Sequence, residues 1–212
     1  MRIFKNIYLF NGVGYSSNIY LIDNYLLIDT GLGIFFKEVI ETMRASGIIP
    51  EEIKIILNTH CHYDHIGGNK KFRDLSKAEI YAHKEDAKNI ETGENTIYEL
   101  FGNTFHSTSV NRKLKDGDVI KTPEHFFEVI HTPGHTKGSI CLYDPYNKIL
   151  FSGDTLFADS IGRVDFPTGN REDMIKSLNK LKELDVTLLF PGHGIFKKGS
   201  LLPYISSLLK HF

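Results

Sequence analysis

The sequence predicts a single α/β domain in which two β-sheets pack face to face and helices cover their outer faces. Three observations predict this class. The 212 residues, of which 41% are hydrophobic, can bury a substantial core. No linker, low-complexity tract or internal repeat divides the chain, so we expect one domain over residues 1–212. Strand-like apolar runs alternate with amphipathic helical segments, an order that suits two layers of sheet with helices outside.

The first half of the chain contains three predicted strands, a helix and a fourth strand. The first three strands are predicted at Ile3 to Phe10, Ser17 to Ile22 and Tyr25 to Asp29. Asp23-Asn24, between the last two, predicts a tight hairpin turn. Apolar residues at helical spacing predict a helix from about Ile34 to Ala45, and Gly47 is placed to end it. Pro50-Glu51-Glu52 then opens a short helical turn before a buried strand from Ile53 to Leu57.

The second half contains further strands and the clearest helix. A brief helix is predicted from Gly67 to Leu75, and a strand from Glu79 to Ala82. The later strands begin near Asp118 and include the runs Phe126 to Ile130, Lys148 to Phe151 and Val186 to Phe190. Arg171 to Leu184 is the clearest amphipathic helix, because its apolar residues share one face. Leu202 to Leu209 is a further helix-like segment.

The interval from Lys84 to Lys115 leaves two interpretations open. It is polar, with scattered apolar residues that include Tyr98 and Phe101. It can be a mixture of helix and surface loop, or it can form one wall of a substrate cleft. In the second case, alanine at Tyr98 and Phe101 is expected to raise KM while the metal content is unchanged.

Composition limits the partners and the location that we expect. Lys and Arg number 25 against 26 Asp and Glu, so the chain lacks the excess of positive charge that is typical of nucleic-acid-binding proteins. The two cysteines, Cys61 and Cys141, indicate reduced thiols instead of a disulfide framework. Met1 to Phe10 lacks an apolar region long enough for a signal peptide, and no run approaches membrane-spanning length. We therefore expect a cytoplasmic protein that acts on a small molecule away from membranes, of unspecified oligomeric state.

Four side chains that can bind metals lie within six residues, directly after the apolar run that ends at Leu57. They belong to the segment Thr59-His60-Cys61-His62-Tyr63-Asp64-His65. Three downstream residues at the ends of strand-like runs offer complementary ligands, namely His135, Asp154 and His193. We expect all of them along one edge of the sheet sandwich. Imidazole and carboxylate ligands suit zinc, with iron or manganese as alternatives.

The spacing within the first segment indicates two metals instead of one. His60 and His62 are two residues apart, and Asp64 and His65 follow directly, so one loop can bind two neighbouring ions. Two cations about 3.5–4 Å apart can share a hydroxide, polarise a carbonyl and stabilise a leaving group. Cys61, between two ligands on a strand-like loop, is expected to point away from the metals and to pack against or support the site.

These residues carry a resemblance to a known family. The chain resembles the metallo-β-lactamase superfamily and, within it, the glyoxalase II-like hydrolases, in the pattern T-H-C-H-Y-D-H, then H, then D, then H. Two other segments share it: Leu27-Ile28-Asp29-Thr30-Gly31 and Gly162-Arg163-Val164-Asp165-Phe166-Pro167. The resemblance covers nearly the whole chain and implies the metallo-β-lactamase fold, an αββα sandwich of two mixed β-sheets. It also implies the ligand sets: His60, His62 and His135 for metal one, Asp64, His65 and His193 for metal two, and Asp154 as the bridge.

The activity implied by the resemblance is hydrolysis of a thioester, such as an acylglutathione or a related 2-hydroxyacyl thiol ester. Two divalent ions, zinc first, hold a bridging hydroxide that attacks the carbonyl, and thiolate departs. Asp64 is assigned a catalytic role besides its ligand role. Relatives that bind glutathione well carry a helical C-terminal domain, whereas this sequence has only the segment Leu202 to Leu209 after His193, so the thiol carrier stays open.

Three further residues are candidates for supporting the metals or binding the substrate. A metal-bound imidazole needs its second N–H fixed, and Asp29 at a strand end can accept that N–H or can cap a turn. Arg163 and Asp165 can form a structural ion pair, or Arg163 can hold an anionic part of the substrate through its planar guanidinium.

The remaining histidines match none of the family's ligand positions. They are His83, His106, His125, His131 and His211. Thr132-Pro133-Gly134 breaks any helix that would pair His131 with His135, so these two side chains are expected to diverge. His83 and His106 can still border the cleft.

Three other functions are alternatives. The ligand set and the Gly-Arg-x-Asp stretch also resemble sulfur dioxygenases, which use a single iron to oxidise a persulfide with dioxygen. Retention of Asp64, His65 and His193 favours two metals and hydrolysis. A nuclease of the transfer-RNA maturation type has a similar histidine motif, but the near-neutral charge argues against it. A structural zinc module is normally closed by four ligands, whereas seven candidates imply open coordination positions.

Overall fold

Two mixed β-sheets pack face to face in the computed structural model, and helices cover both outer faces. This is the αββα sandwich that the sequence predicts, so the predicted fold class is confirmed. The structure describes residues 1–102 and 104–211, without the side chain of His211. Asn103, in the interval that the sequence leaves open, and Phe212 lie outside the described residues.

The first sheet has seven strands in chain order. They are Arg2–Phe4 (β1), Ile7–Phe10 (β2), Ile19–Ile22 (β3), Leu26–Ile28 (β4), Ile55–Leu57 (β5), Glu79–His83 (β6) and Arg112–Leu114 (β7). The strands from β1 to β4 pair antiparallel, and those from β4 to β7 pair parallel. Because parallel strands end at the same edge, the residues after β4 and β5 emerge side by side.

The second sheet has six strands in the order β13-β12-β11-β10-β9-β8. They are Val119–Lys121 (β8), Phe126–His131 (β9), Ile140–Asp144 (β10), Ile149–Gly153 (β11), Leu188–Pro191 (β12) and Lys197–Lys198 (β13). β11 and β12 are parallel, and the other neighbours are antiparallel. In consequence β9, β11 and β12 all end at one edge.

Alternating strand residues fill three apolar layers. Ile55 and Leu57 face the layer between the sheets, whereas Ile56 faces the helices outside. The helices are Phe36–Ala45 (α1), Tyr63–Ile66 (α2), Asn69–Ser76 (α3), Lys84–Thr92 (α4), Arg171–Lys182 (α5) and Leu202–His211 (α6). Met43 of α1 packs in the outer layer of the first sheet, and Leu178 of α5 packs in that of the second.

Three elements differ from the predictions. The single strand predicted from Ile3 to Phe10 is wrong, because the chain reverses at Lys5, whose φ is 35°, and β1 pairs back on β2. The polar pair Lys5-Asn6 separates two apolar runs at that turn, and the prediction of one strand overlooked it. Helix α2 begins within the segment from Thr59 to His65, ahead of the helix predicted from Gly67. Strand β7 was not predicted, because its first two residues are exposed and charged, as is common at a sheet edge.

The predicted hairpin turn is confirmed. Asp23 and Asn24 have φ angles of 54° and 51°, and the Tyr25 N–H donates to the Ile22 carbonyl at 2.9 Å. The other predicted strands and helices agree with the structure to within two residues at each end. Over the residues that the structure describes, no helix combines the length and the apolar content needed to cross a lipid bilayer.

Candidate functional site

The seven predicted ligands lie on loops at one edge of the two sheets. Strand β5 leads into the loop and short helix that carry the first four, and β9, β11 and β12 each lead into one more. In chain order they are His60, His62, Asp64, His65, His135, Asp154 and His193. Because β5 belongs to one sheet and the other three strands to the second, the site forms only where both sheets end together.

The first cluster consists of three buried histidines. One nitrogen from each of His60, His62 and His135 lies within 4.8 Å of the others. The closest approach is 2.8 Å, between His62 Nδ1 and His135 Nε2. The structure therefore brings together the three residues that the sequence analysis assigns to metal one, and their role as ligands stays a prediction.

A second cluster lies beside the first. Asp64, His65 and His193 also offer ligand atoms within 4.8 Å of one another. His193 Nε2 lies 3.0 Å from Asp64 Oδ2 and 3.1 Å from His65 Nε2. These are the residues assigned to metal two.

The carboxylate of Asp154 reaches members of both clusters. Its Oδ1 lies 3.3 Å from His65 Nε2. Its Oδ2 lies 3.6 Å from His135 Nε2 and 3.6 Å from His193 Nε2. A carboxylate between two groups of histidines has the position that a bridging ligand requires.

Hydrogen bonds at Nδ1 orient two of the imidazoles so that Nε2 faces the clusters. His135 Nδ1 lies 2.7 Å from the Arg163 carbonyl, which can only accept, so Nδ1 carries the proton. His65 Nδ1 likewise lies 2.7 Å from Asp29 Oδ2 and donates to it. Because Nδ1 of each ring donates outwards, Nε2 is the atom of that ring that faces the clusters and can bind a cation.

His60 is oriented through an intermediate hydroxyl. Thr59 Oγ1 donates to Asp29 Oδ2 at 2.8 Å and lies 3.1 Å from His60 Nδ1, which donates to it. Among the described residues, His60 Nε2 and Asp154 Oδ1 are buried and have no hydrogen-bond partner. Buried polar atoms in proteins are nearly always satisfied, so converging, unpaired nitrogen and oxygen atoms fit divalent cations.

The pKa shifts differ among the histidines of the site: burial alone would lower the pKa of His65 and of His193, but nearby carboxylates, Asp154 foremost, outweigh it and raise both. Burial lowers the pKa of His60 and of His62 well below its ordinary value, so both rings are neutral. Burial alone would raise the pKa of Asp154, but the neighbouring imidazoles of His65 and His193 outweigh it and hold that pKa low. Neutral imidazole and ionised carboxylate are the forms that coordinate metals.

A pocket of about 410 Å³ is lined by members of both clusters and by apolar side chains. The apolar lining residues are Tyr15, Ile97, Leu100, Phe101 and Phe166. The rings of Tyr15 and Phe101, from two different loops, lie 6.5 Å apart between their centroids. The pocket therefore has room for a small ligand with an apolar part beside the polar clusters.

Both interpretations of the interval from Lys84 to Lys115 apply, each to a different part. Its beginning is helix α4, and its middle supplies Ile97, Leu100 and Phe101 to the pocket wall. Tyr98 packs against Tyr63 instead of lining the pocket, so the prediction that groups Tyr98 with Phe101 needs revision.

Arg163 and Asp165 form the ion pair that was one of two alternatives. The guanidinium Nε and Nη2 atoms donate to the two carboxylate oxygens at 2.9 and 2.7 Å. The guanidinium also stacks 4.1 Å from the Phe166 ring centroid. Arg163 lines the pocket as well, so its proposed contact with an anionic substrate stays a prediction.

The other histidines that the structure describes lie apart from both clusters. His131 stacks on His83 with centroids 3.9 Å apart and so diverges from His135, as the intervening proline and glycine predict. His125 pairs with Asp23. His106 is exposed and His83 is buried, and neither lines the pocket. The side chain of His211 is outside the described part of the chain.

Sequence reasoning missed a polar group that supports His65. Asn58 and Asn69 exchange hydrogen bonds through their amides at 3.0 and 2.8 Å. The Thr30 hydroxyl lies within hydrogen-bond distance of Asn69 Oδ1 and of the His65 carbonyl, at 2.9 and 3.0 Å. All these side chains are buried, and the only signal was polar residues directly after two apolar strands.

Comparisons with known proteins agree with this geometry. The sequence profile described as the metallo-beta-lactamase superfamily matches residues 12–193. The chain is 35% identical over 191 residues to a probable metallo-hydrolase from Methanocaldococcus jannaschii, over 87% of this chain and 90% of that protein. It is 33% identical over 152 residues to a hydroxyacylglutathione hydrolase from Haemophilus influenzae, over 68% of this chain and 70% of the relative. A crystal structure of a protein in a di-iron-bound form is similar with a TM-score of 0.79 and 27% identity, over 95% and 98% of the two chains.

Proposed function

The chain belongs to the metallo-β-lactamase superfamily, and on that premise we propose that it is a metal-dependent hydrolase that holds two divalent ions and cleaves a thioester. One observation carries the proposal. Two ligand clusters share the carboxylate of Asp154 in a pocket with apolar walls. Such a pair of adjacent cation sites is typical of hydrolytic centres.

Metal ions bound there supply a Lewis acid for a carbonyl oxygen and make water nucleophilic at neutral pH. The protein's own groups prepare the site for that chemistry. Asp29 and the Arg163 carbonyl hold protons on the outer nitrogens of His65 and His135, which keeps the inner nitrogens available. Asp64 lines the pocket, so we assign it a catalytic position as well as a ligand role.

The pocket walls support a thioester with an apolar part. Phe101 and Leu100 on one side and Phe166 on the other exclude water from a bound acyl group. The similarity to a hydroxyacylglutathione hydrolase supports the same bond class. Zinc is the first choice of metal, with iron and manganese as alternatives, because the same imidazole and carboxylate set binds all three.

The test counts metals and compares two activities on one preparation. The protein is purified without added metal, its metal content per chain is measured, and thioester hydrolysis and persulfide-dependent oxygen uptake are assayed side by side. We expect two ions per chain and turnover of a 2-hydroxyacyl thioester of glutathione or coenzyme A. One iron per chain with oxygen uptake would establish a persulfide dioxygenase instead. Two ions without turnover of any thioester would refute the substrate class.

Phe101→Ala is expected to raise KM about tenfold, on the order of 1.4 kcal/mol of lost apolar contact, with the metal content unchanged. The physical reason is that Phe101 lines the pocket without contributing to either cluster. Steady-state kinetics and metal analysis measure the two effects.

Tyr98→Ala is the matched control for Phe101→Ala. Both rings lie 6.3 Å from the ring of Tyr63, so both variants lose that packing. Only Phe101 lines the pocket. An equal rise in KM for both variants would show that packing of this turn, and not contact with substrate, sets KM.

A further inference from the structure

Asp86 is a buried carboxylate that belongs to neither cluster. It lies in the first turn of α4 and is 0% exposed. No lysine, arginine or histidine forms a salt bridge with it among the described residues. A buried carboxylate without a neighbouring cation destabilises the protein unless hydrogen bonds satisfy its oxygens.

The hydrogen bonds of Asp86 reach two separate loops. Its Oδ2 accepts from the Cys61 N–H at 2.9 Å and from the Thr136 hydroxyl at 2.6 Å. Its Oδ1 accepts from the Gly138 N–H at 2.9 Å. One carboxylate thus joins chain segments that are 25 residues before it and 50 to 52 residues after it.

Those two loops carry the whole first cluster. Cys61 lies between His60 and His62, and Thr136 directly follows His135. In the part of the chain that the structure describes, Asp86 has no hydrogen bond to any residue of the second cluster. The partners of Asp86 therefore adjoin the ligands of the first cluster in sequence, and the segment from Thr59 to His65 also carries Asp64 and His65 of the second.

We propose that Asp86 is the positioning residue of the first metal, which sets the distance between the His60–His62 loop and the His135 loop. The inference rests on the proposed function only in assuming that the first cluster binds a metal. Asp29 has a different place, since its carboxylate accepts from His65 of the second cluster and, through the Thr59 hydroxyl, also supports His60 of the first.

Asparagine cannot replace Asp86 without loss. Both carboxylate oxygens accept from a backbone N–H, Oδ2 from Cys61 and Oδ1 from Gly138. An amide in either orientation places an NH₂ group against one of these N–H donors. Asp86→Asn therefore keeps the size of the side chain and breaks one of the two connections.

The test measures the affinity of each metal site in the full-length protein. Zinc is titrated into metal-free Asp86→Asn and wild type against a chelator, and cobalt titrations follow each site by its absorption. We expect zinc to bind the first site about 10- to 100-fold more weakly, the usual cost of losing an outer hydrogen bond, and the second site unchanged. Equal weakening at both sites, or an unchanged first site, would overturn the proposal.

Two further variants keep the test decisive if Asp86→Asn does not fold. Thr136→Val removes only the hydroxyl that donates to Oδ2, so we expect a smaller, few-fold loss at the first site alone. Gly138→Ala would place a Cβ 2.5 Å from the Asp86 Cγ and should disturb the same site from the other side. Unchanged affinity of the first site in both variants would contradict the proposal.

Asp144→Asn is the matched control for a general loss of stability. Asp144 is also 0% exposed, and its Oδ1 accepts from the backbone N–H groups of Tyr146 and Asn147. It lies at the end of β10 that is opposite to the His135 loop, so we expect a lower melting temperature without a change at either metal site. If metal binds as proposed but no thioester is hydrolysed, the proposed function fails while the role of Asp86 stands.

Discussion

Asp154→Ala is expected to lower kcat by on the order of 10³-fold and to weaken the binding of both metal ions. The reason is that this carboxylate lies close to residues of both clusters. Its two oxygens lie 3.3 Å from His65 Nε2 and 3.6 Å from His135 Nε2, which belong to different clusters. Metal analysis after dialysis and steady-state kinetics measure both effects.

His193→Ala provides the comparison for Asp154→Ala. His193 lies 3.0 Å from Asp64 and 3.1 Å from His65, both members of the second cluster. The variant should therefore release mainly one ion per chain and leave the first site occupied. Equal loss of both ions from His193→Ala, or retention of both by Asp154→Ala, would contradict the division into two clusters.

Gly192→Ala is expected to lower kcat about 100-fold, although it removes no ligand and no hydrogen bond. A Cβ at this position would lie 2.2 Å from Asp154 Oδ1 and 2.7 Å from His65 Cε1. These distances are far below van der Waals contact, so the carboxylate of Asp154 must shift. A displacement of this size in a catalytic group is enough for such a loss in rate. Kinetics and metal titration of the purified variant test this expectation.

Gly194→Asn is the control in the same loop. Gly194 has a φ of 72°, which asparagine tolerates better than most residues, and a Cβ there meets no atom within 4 Å among the described residues. This variant places a larger side chain on the other side of His193. If it loses as much activity as Gly192→Ala, a general disturbance of the loop, and not the contact with Asp154, explains the effect.

Local sequence patterns predicted most of the fold. The turn at Asp23 and Asn24 follows from two residues that tolerate positive φ between apolar runs, and the structure has it there. The reversal at Lys5 was missed, because the short apolar runs on both sides of Lys5-Asn6 together predict one continuous strand. The charged edge strand β7 was missed since its stability comes from pairing with β6 and not from its own composition.

The candidate site also contains residues that the sequence predicted and residues that it did not. The ligand candidates were found because histidine and aspartate occur at unusual density after an apolar strand. This density is visible in the seven consecutive residues from Thr59 to His65. Asp86 was not found, because an aspartate in the first turn of a helix is common and carries no signal of its own. The interval from Lys84 to Lys115 was proposed as a cleft wall, but Ile97 was not singled out, because it stands in a polar interval without periodicity.

The sequence by itself determined most strands and helices and the chemical types of the seven ligand candidates, because these depend on residues close together in the chain. The tertiary structure decided which candidates meet. His62 and His135 are 73 residues apart in sequence and 2.8 Å apart in space, and they meet where strands of two different sheets end at one edge. Contacts over such separations depend on how the sheets pack, and packing is a property of the whole core that no short segment encodes.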